Sequence, residues 1–191
     1  GPPGSSVGAH HFRPGLTVQE VQPHEVGYAP EHGLVEVRLA ASADPRCLTA
    51  LWLIGLEDRP EDSGELCIVE IFGTDVSAER SAIGMGIHPF ADARLVDDFR
   101  RIAMPFDARD PHSYAAAWEP GRTDWFIDDV HVMEQDQAPE YPIFLMLDLY
   151  ELPGAGGPAA RVGPYPKEAV VHHVRGYRSR DAGGNGHGGH G

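Results

Sequence analysis

The residues with the most chemical potential lie in one short run, Gly64 to Gly73, which reads "GELCIVEIFG". Glu65 and Glu70 stand there among Leu66, Cys67, Ile68, Val69, Ile71 and Phe72. An unpaired carboxylate is costly to bury, so the apolar setting demands a reason for both. Alternate residues of a regular strand share a face, which sends Glu65 and Cys67 one way and Glu70 the other, into the core. One extra residue at Ile68–Val69, a β-bulge, resolves the conflict. It turns Glu65, Cys67 and Glu70 to one surface and leaves Leu66, Ile68 and Ile71 facing inward. Two carboxylates on one surface, about 5–5.5 Å apart, are the apparatus for cleaving a glycosidic bond with retention of configuration. One acts as nucleophile, the other as general acid/base, and unlike surroundings must keep one ionised and the other protonated. The plainer alternative is two solvated glutamates that protect an edge strand from aggregation.

The elements that must position this pair read as strands. "GLVEVRLAA" alternates, with Val35, Val37 and Leu39 on one side and Glu36 and Arg38 on the other. "CLTALWLIG" is nearly continuous in apolar residues, as for a central strand, and the polar loop "LEDRPEDSG" joins it to the glutamate strand as an antiparallel hairpin. Hairpin arithmetic about residue 60 places Cys67 opposite Trp52 rather than Cys47, so no disulfide between the two cysteines is expected. Further β-favouring runs follow: "SAIGMGIHPF", "SYAAAWEP", "RTDWFIDDVHVME", "YPIFLMLDLYEL" and "EAVVHHVRGYR". The single helical candidate is a short turn near "ARLVDDFRR". Short strands punctuated by Gly, Pro and Asp indicate an all-β antiparallel sandwich in one domain over residues 1–179. The Gly- and His-rich residues 180–191 are expected to be a disordered tail.

The whole chain sets bounds on partners. Its 191 residues suffice for one domain with a substantial core, and 41% are hydrophobic against 23% charged. A net charge of -14 argues against a phosphate backbone as partner, and the sequence has no run of eighteen apolar residues. Nucleic acid and membrane are therefore not expected partners. The opening "GPPGSSVGAHH" reads as a cut edge rather than a signal peptide. His172 and His173 alternate across a strand and cannot chelate one metal from one face, and the same holds for His10 and His11 if extended. No metal site is expected, and His187 and His190 read as solvated.

"GELCIVEIFG" resembles the signature of glycoside hydrolase family 16, the laminarinase, lichenase and agarase group, with its pattern Glu-x-Asp-x-x-Glu on a bulged strand. The likeness runs from about Gly33 to Arg178. "LTALWLIG" is similar to the family strand before the motif, "SAIGMGIHPF" to the histidine-bearing strand after it, and "DPHSYAAAWEPGRTDWFIDD" to the His-x-Tyr-x-x-x-Trp segment. "YPIFLMLDLYEL" and "VVHHVRGYR" resemble the last two strands. What the resemblance implies is a concanavalin A-like jelly roll, with N-terminal strands among what this chain could lack. It further implies a polysaccharide substrate across the concave sheet, Glu65 as nucleophile and Glu70 as general acid/base. It implies His88 near the acid/base, and Trp118 and Asp148 as sugar contacts. Trp52 is expected in the core, and Tyr114 and His112 as structural. No cofactor is required, a structural calcium is common in the family without locatable ligands here, a monomer is favoured, and secretion is suspected from the family.

One departure bears on activity. Cys67 stands where the pattern has Asp, which in the family hydrogen-bonds the nucleophile. A thiol is a weak donor and neutral at its ordinary pKa of about 8.5. Three readings follow. The enzyme works with Cys67, or the chain has become a non-catalytic carbohydrate-binding sandwich, or Cys67 is a small buried hydrophobe.

Overall fold

The computed structural model describes residues 2–6, 15–21, 26–56, 58–152 and 163–178. The expected tail over 180–191 lies outside them. Ten strands occur among the described residues: β1 (Gly33–Ala40), β2 (Cys47–Gly55), β3 (Glu65–Phe72), β4 (Ser81–His88), β5 (Asp98–Met104), β6 (His112–Glu119), β7 (Arg122–Ile127), β8 (Val130–Gln135), β9 (Ile143–Glu151) and β10 (Val170–Tyr177). They form two antiparallel five-stranded sheets, ordered β10-β1-β6-β7-β8 and β5-β4-β3-β2-β9. The sandwich expected from the strand pattern is what the chain forms.

Alternation explains how the layers meet. Val35, Val37 and Leu39 of β1 are fully buried, as are Leu51 and Leu53 of β2 and Ile83, Met85 and Ile87 of β4. Together with Leu66, Ile68, Val69 and Ile71 of β3 and Tyr114, Ala116 and Trp125 from the facing sheet they make one continuous core. Removing so much branched apolar surface from water is the main force holding the sheets together. β3 lies third of five in its sheet, between β4 and β2. The glutamate strand is therefore not an edge strand, and the aggregation-guard alternative loses its premise.

One expectation about secondary structure fails. "ARLVDDFRR" is not a helical turn: its first residues form turns and Asp98 opens β5, which pairs with β4 as Gly86↔Phe99, Gly84↔Arg101 and Ile83↔Ile102. The unpaired edge of β4 and the contact of Ile102 with the core override the weak helical pattern.

Candidate active site

The bulge lies on β3. Its pairing with β2 runs Leu51↔Val69 and then Trp52↔Cys67, so Ile68 is the extra residue; its pairing with β4 shifts between Cys67↔Gly86 and Glu70↔Gly84. Ile68 and Val69 both enter the core. The offset brings the opening trio together: one carboxylate oxygen from each of Glu65 and Glu70 and the Sγ of Cys67 lie within 4.8 Å of one another. A bulge leaves ladder groups unpaired, and a buried carbonyl needs a donor. Here the donor comes from the other sheet. Trp125, fully buried on β7, gives its indole Nε1–H to the Cys67 carbonyl at 2.9 Å.

Directly paired residues of antiparallel strands share a face, so the register defines three rows crossing the strands. The first is Phe144, Ile54, Glu65 and His88. The second is Met146, Trp52, Cys67, Gly86 and Phe99, and the third Asp148, Ala50, Glu70, Gly84 and Arg101. In the middle row, aromatic side chains flank a low centre made by a cysteine and a glycine. Gly86 has φ +145, and an added Cβ would sit 2.2 Å from the Asp98 carbonyl oxygen, so no side chain fits there. A Cβ on Gly84 would come within 2.5 Å of the Phe99 ring. That ring thus lies across the β4 glycines. His88 stacks on Phe99 with centroids 4.8 Å apart, and Trp52 lies 5.8 Å from Tyr150 on the opposite flank.

The electrostatics follow from this packing. Glu65 is only 7% exposed, and its carboxylate accepts no hydrogen bond among the described residues. Burial, and after it the charge of Glu70, push Glu65 up to about 7. Burial also raises half-buried Glu70, but His88 and Arg101 pull it back. The Cys67 thiol is held well above its ordinary value by burial and by both glutamates, against a hydrogen bond from the Val69 N–H. Near neutrality the trio therefore holds a neutral thiol and a carboxyl pair that titrates as a unit. One proton on that pair leaves a carboxylic acid and a carboxylate side by side.

A second carboxylate group braces the start of β3. Gly64, next to Glu65, donates its N–H to the Tyr141 hydroxyl at 2.7 Å, and that hydroxyl donates to Asp92 at 2.8 Å. Arg94 binds Asp92 through Nε and Asp62 through a terminal nitrogen, both at 2.7 Å. Gly64 has no room for a side chain, because a Cβ would meet Leu95 at 2.3 Å and the Tyr141 oxygen at 2.5 Å.

The expected site residues divide. Glu65, Cys67, Glu70, His88 and Asp148 share the sheet face. His88 stands opposite Glu65 in register, and its Nδ1 pairs with Asp97 at 3.0 Å, so it acts on Glu70 through its field rather than a hydrogen bond. Asp148 reaches the Glu70 row across Ala50. Trp118 does not belong: it is 3% exposed in the facing sheet, in the alternating buried set Tyr114, Ala116, Trp118, with its indole donating to the Glu31 carbonyl at 2.9 Å. Trp52 corrects the opposite way, half-buried on the carboxylate face instead of in the core. Sequence reasoning missed Phe99, Arg101, Gly84, Gly86 and Tyr150. The alternation of "AIGMGIH", apolar inward and glycine outward, was the signal for a cleared strand.

Known proteins give the context. The model of the family "Glycosyl hydrolases family 16" matches residues 28–150. No match was found among curated protein sequences. An endo-β-galactosidase from Clostridium perfringens that releases GlcNAcα1-4Gal aligns with a TM-score of 0.72 at 21% identity, covering 90% of this chain and 44% of that one. The catalytic domain of an endo-1,3-β-glucanase (laminarinase) from Thermotoga petrophila gives 0.62 at 17% identity, covering 80% and 66%. A Bacillus licheniformis β-glucanase gives 0.62 at 20% identity, covering 79% and 68%. The chain thus spans less than half of the galactosidase and about two thirds of the glucanases. Those likenesses establish a shared sandwich, and the family model, matching more than half of the sequence with the bulged strand inside it, makes this chain a member of glycosyl hydrolase family 16.

Proposed function

We propose that the protein is a retaining, endo-acting glycoside hydrolase or transglycosylase that acts on β-linked polysaccharides by double displacement. The observation that carries this reading is the approach of Glu65 and Glu70 to within 4.8 Å on a sheet face. A retaining pair needs about 5–5.5 Å, whereas an inverting pair needs roughly 6.5–9.5 Å to admit a water between them. Glu65 attacks the anomeric carbon while Glu70 protonates the departing oxygen; Glu70 then takes a proton from water, which releases the sugar from Glu65. For attack the proton must rest on Glu70. Burial raises both carboxyls, which keeps a proton available to the pair near neutral pH. Cys67, a neutral thiol where the family pattern has Asp, gives Glu65 little help in staying ionised.

The middle row supports a chain lying across the strands. Trp52 and Phe99 stand on either side of the Cys67–Gly86 floor, and aromatic side chains suit the apolar faces of sugar rings. An open groove accepts the middle of a long polymer. Neighbours named as acting on β-galactoside and β-1,3-glucan linkages make both classes candidates.

The test is release of new reducing ends from β-1,3-glucan, mixed-linkage β-1,3-1,4-glucan and galactan panels, with a 2-fluoro glycoside to trap the covalent intermediate. Turnover of one class, with the label on Glu65, is expected. Label on Glu70 reverses the two roles. Binding without turnover on every polymer favours the second reading, a carbohydrate-binding sandwich, which the neutral Cys67 between the glutamates motivates.

A further inference from the structure

We propose that Glu65, Cys67 and Glu70 together form a site for a thiophilic divalent cation of the zinc and cadmium class, and that a bound cation disables the carboxylate pair. The second half rests on the hydrolase reading; the first does not. Three potential ligand atoms, two carboxylate oxygens and a sulfur, lie within 4.8 Å of one another on one strand. Small side-chain rotations from that spacing bring them around a single ion. Independently, Glu65 is more than nine-tenths buried and aimed at this cluster, with no hydrogen-bond donor among the described residues. A buried carboxylate without a donor is a standing cost that a cation removes.

The donor set selects the metal. Calcium takes six to eight oxygen ligands and magnesium an octahedron of oxygens, which two carboxylates and a sulfur do not supply. Zinc and cadmium accept sulfur with carboxylate and are content with four ligands. On binding, the Cys67 S–H bond breaks, its proton leaves to solvent, and the sulfur pair forms the bond to the metal. The proton shared by the glutamates is released as well. Water from the open face fills the fourth position. Both carboxylates are then engaged, and neither can attack a sugar nor protonate a leaving group.

Another acidic cluster shows what a filled group looks like. Asp124, His131 and Glu134 also lie within 4.8 Å of one another, but Arg122 pairs with both carboxylates and His131 with Asp124. Its charges are already met, and its residues are half-buried or exposed.

The experiment uses chelator-treated protein and Cd²⁺ as the probe, without any glycan. One equivalent is expected to produce the ultraviolet sulfur-to-cadmium charge-transfer band, and excess Ca²⁺ or Mg²⁺ should leave it intact. Cys67→Ser should abolish the band. Loss of an outer partner already costs on the order of 10–100-fold in metal affinity, so Glu65→Gln, losing a ligand, should weaken binding at least as much. Cys47→Ser should change neither, since the second buried cysteine lies at the far end of β2. Absence of the band, its persistence in Cys67→Ser, or its loss in Cys47→Ser overturns the site; circular dichroism verifies that each variant is folded. Hydrolysis by the chelator-treated protein that one equivalent of Cd²⁺ stops and chelator restores supports the blocking role. A protein that shows the band yet hydrolyses nothing after chelation refutes the enzyme reading alone.

Discussion

Two carboxylate groups stand at neighbouring places in this protein, and they are built in opposite ways. Asp62 and Asp92 precede and follow the β3–β4 hairpin; both are nearly buried, at 8% and 2% exposure, and both are saturated with donors. Burial pushes Asp92 upward, but the Arg94 side chain and backbone N–H and the Tyr141 hydroxyl outweigh it and hold it below the usual aspartate range. Arg59 and Arg94 do the same for Asp62. Glu65, equally sequestered, has no donor among the described residues and is displaced toward neutrality. The comparison teaches that burial alone does not set a carboxylate's chemistry; the count of donors around it does. The saturated group holds backbone, and the unsatisfied one is left reactive.

The largest effect should come from removing the reactive partners. Under the proposed double displacement, Glu70→Gln is expected to lower kcat by about 10²–10⁴-fold, the usual worth of a general acid/base, and Glu65→Gln by at least as much. The same Glu65→Gln should stabilise the protein at neutral pH, because a group whose folded pKa is raised costs stability as pH climbs. That cost is absent below the ordinary value of 4.5 and grows until pH passes about 7. Integrated over that window it is roughly 3 kcal/mol, read as a rise in Tm at pH 8 in chelator-treated protein that vanishes at pH 4. A variant with unchanged Tm at both pH values breaks the contrast.

Next in size is Asp92→Ala, which strands Arg94 and the Tyr141 hydroxyl. It should destabilise the fold by about 1–3 kcal/mol, measured by urea unfolding. Its pH dependence has the opposite sign: the folded pKa is depressed, so the contribution is full above the unfolded range and fades as pH falls through the folded value. The wild-type margin over Asp92→Ala should therefore shrink on acidification. Smallest is Cys67→Asp, which gives Glu65 a neighbour able to hydrogen-bond it. One such bond is worth about 1.5 kcal/mol, so kcat should rise about tenfold, with the basic limb of the pH–rate profile unchanged in slope. A fall in rate would show that this site works best with a thiol.

Much of this arrangement was legible in the strand pattern, because period-two alternation registers every residue against its neighbours. The conflict between Glu70 and its apolar neighbours was enough to locate the bulge, and β2 was bounded as the sequence suggested. The site face beyond β3 was harder. Trp52 and Trp118 exchange their expected places, since an aromatic residue in a strand gives no local sign of which face is interior. Only the pairing of β2 with the bulged strand decides it. Phe99 and Arg101 were hidden by a polar-looking β5, whose role depends on its register against the glycines of β4. The donor set of Asp92 was equally out of reach: its arginine is two residues on, but its tyrosine is 49 residues away.

The indole of Trp125 on the Cys67 carbonyl ties a local irregularity to the opposite layer. Reactive alignment is therefore a property of how the two sheets are seated, not of the strand that bears the glutamates. Drift of one layer against the other, by heat or by a remote cavity, should change the spacing of Glu65 and Glu70 before any strand separates, so under the proposed function inactivation would precede melting.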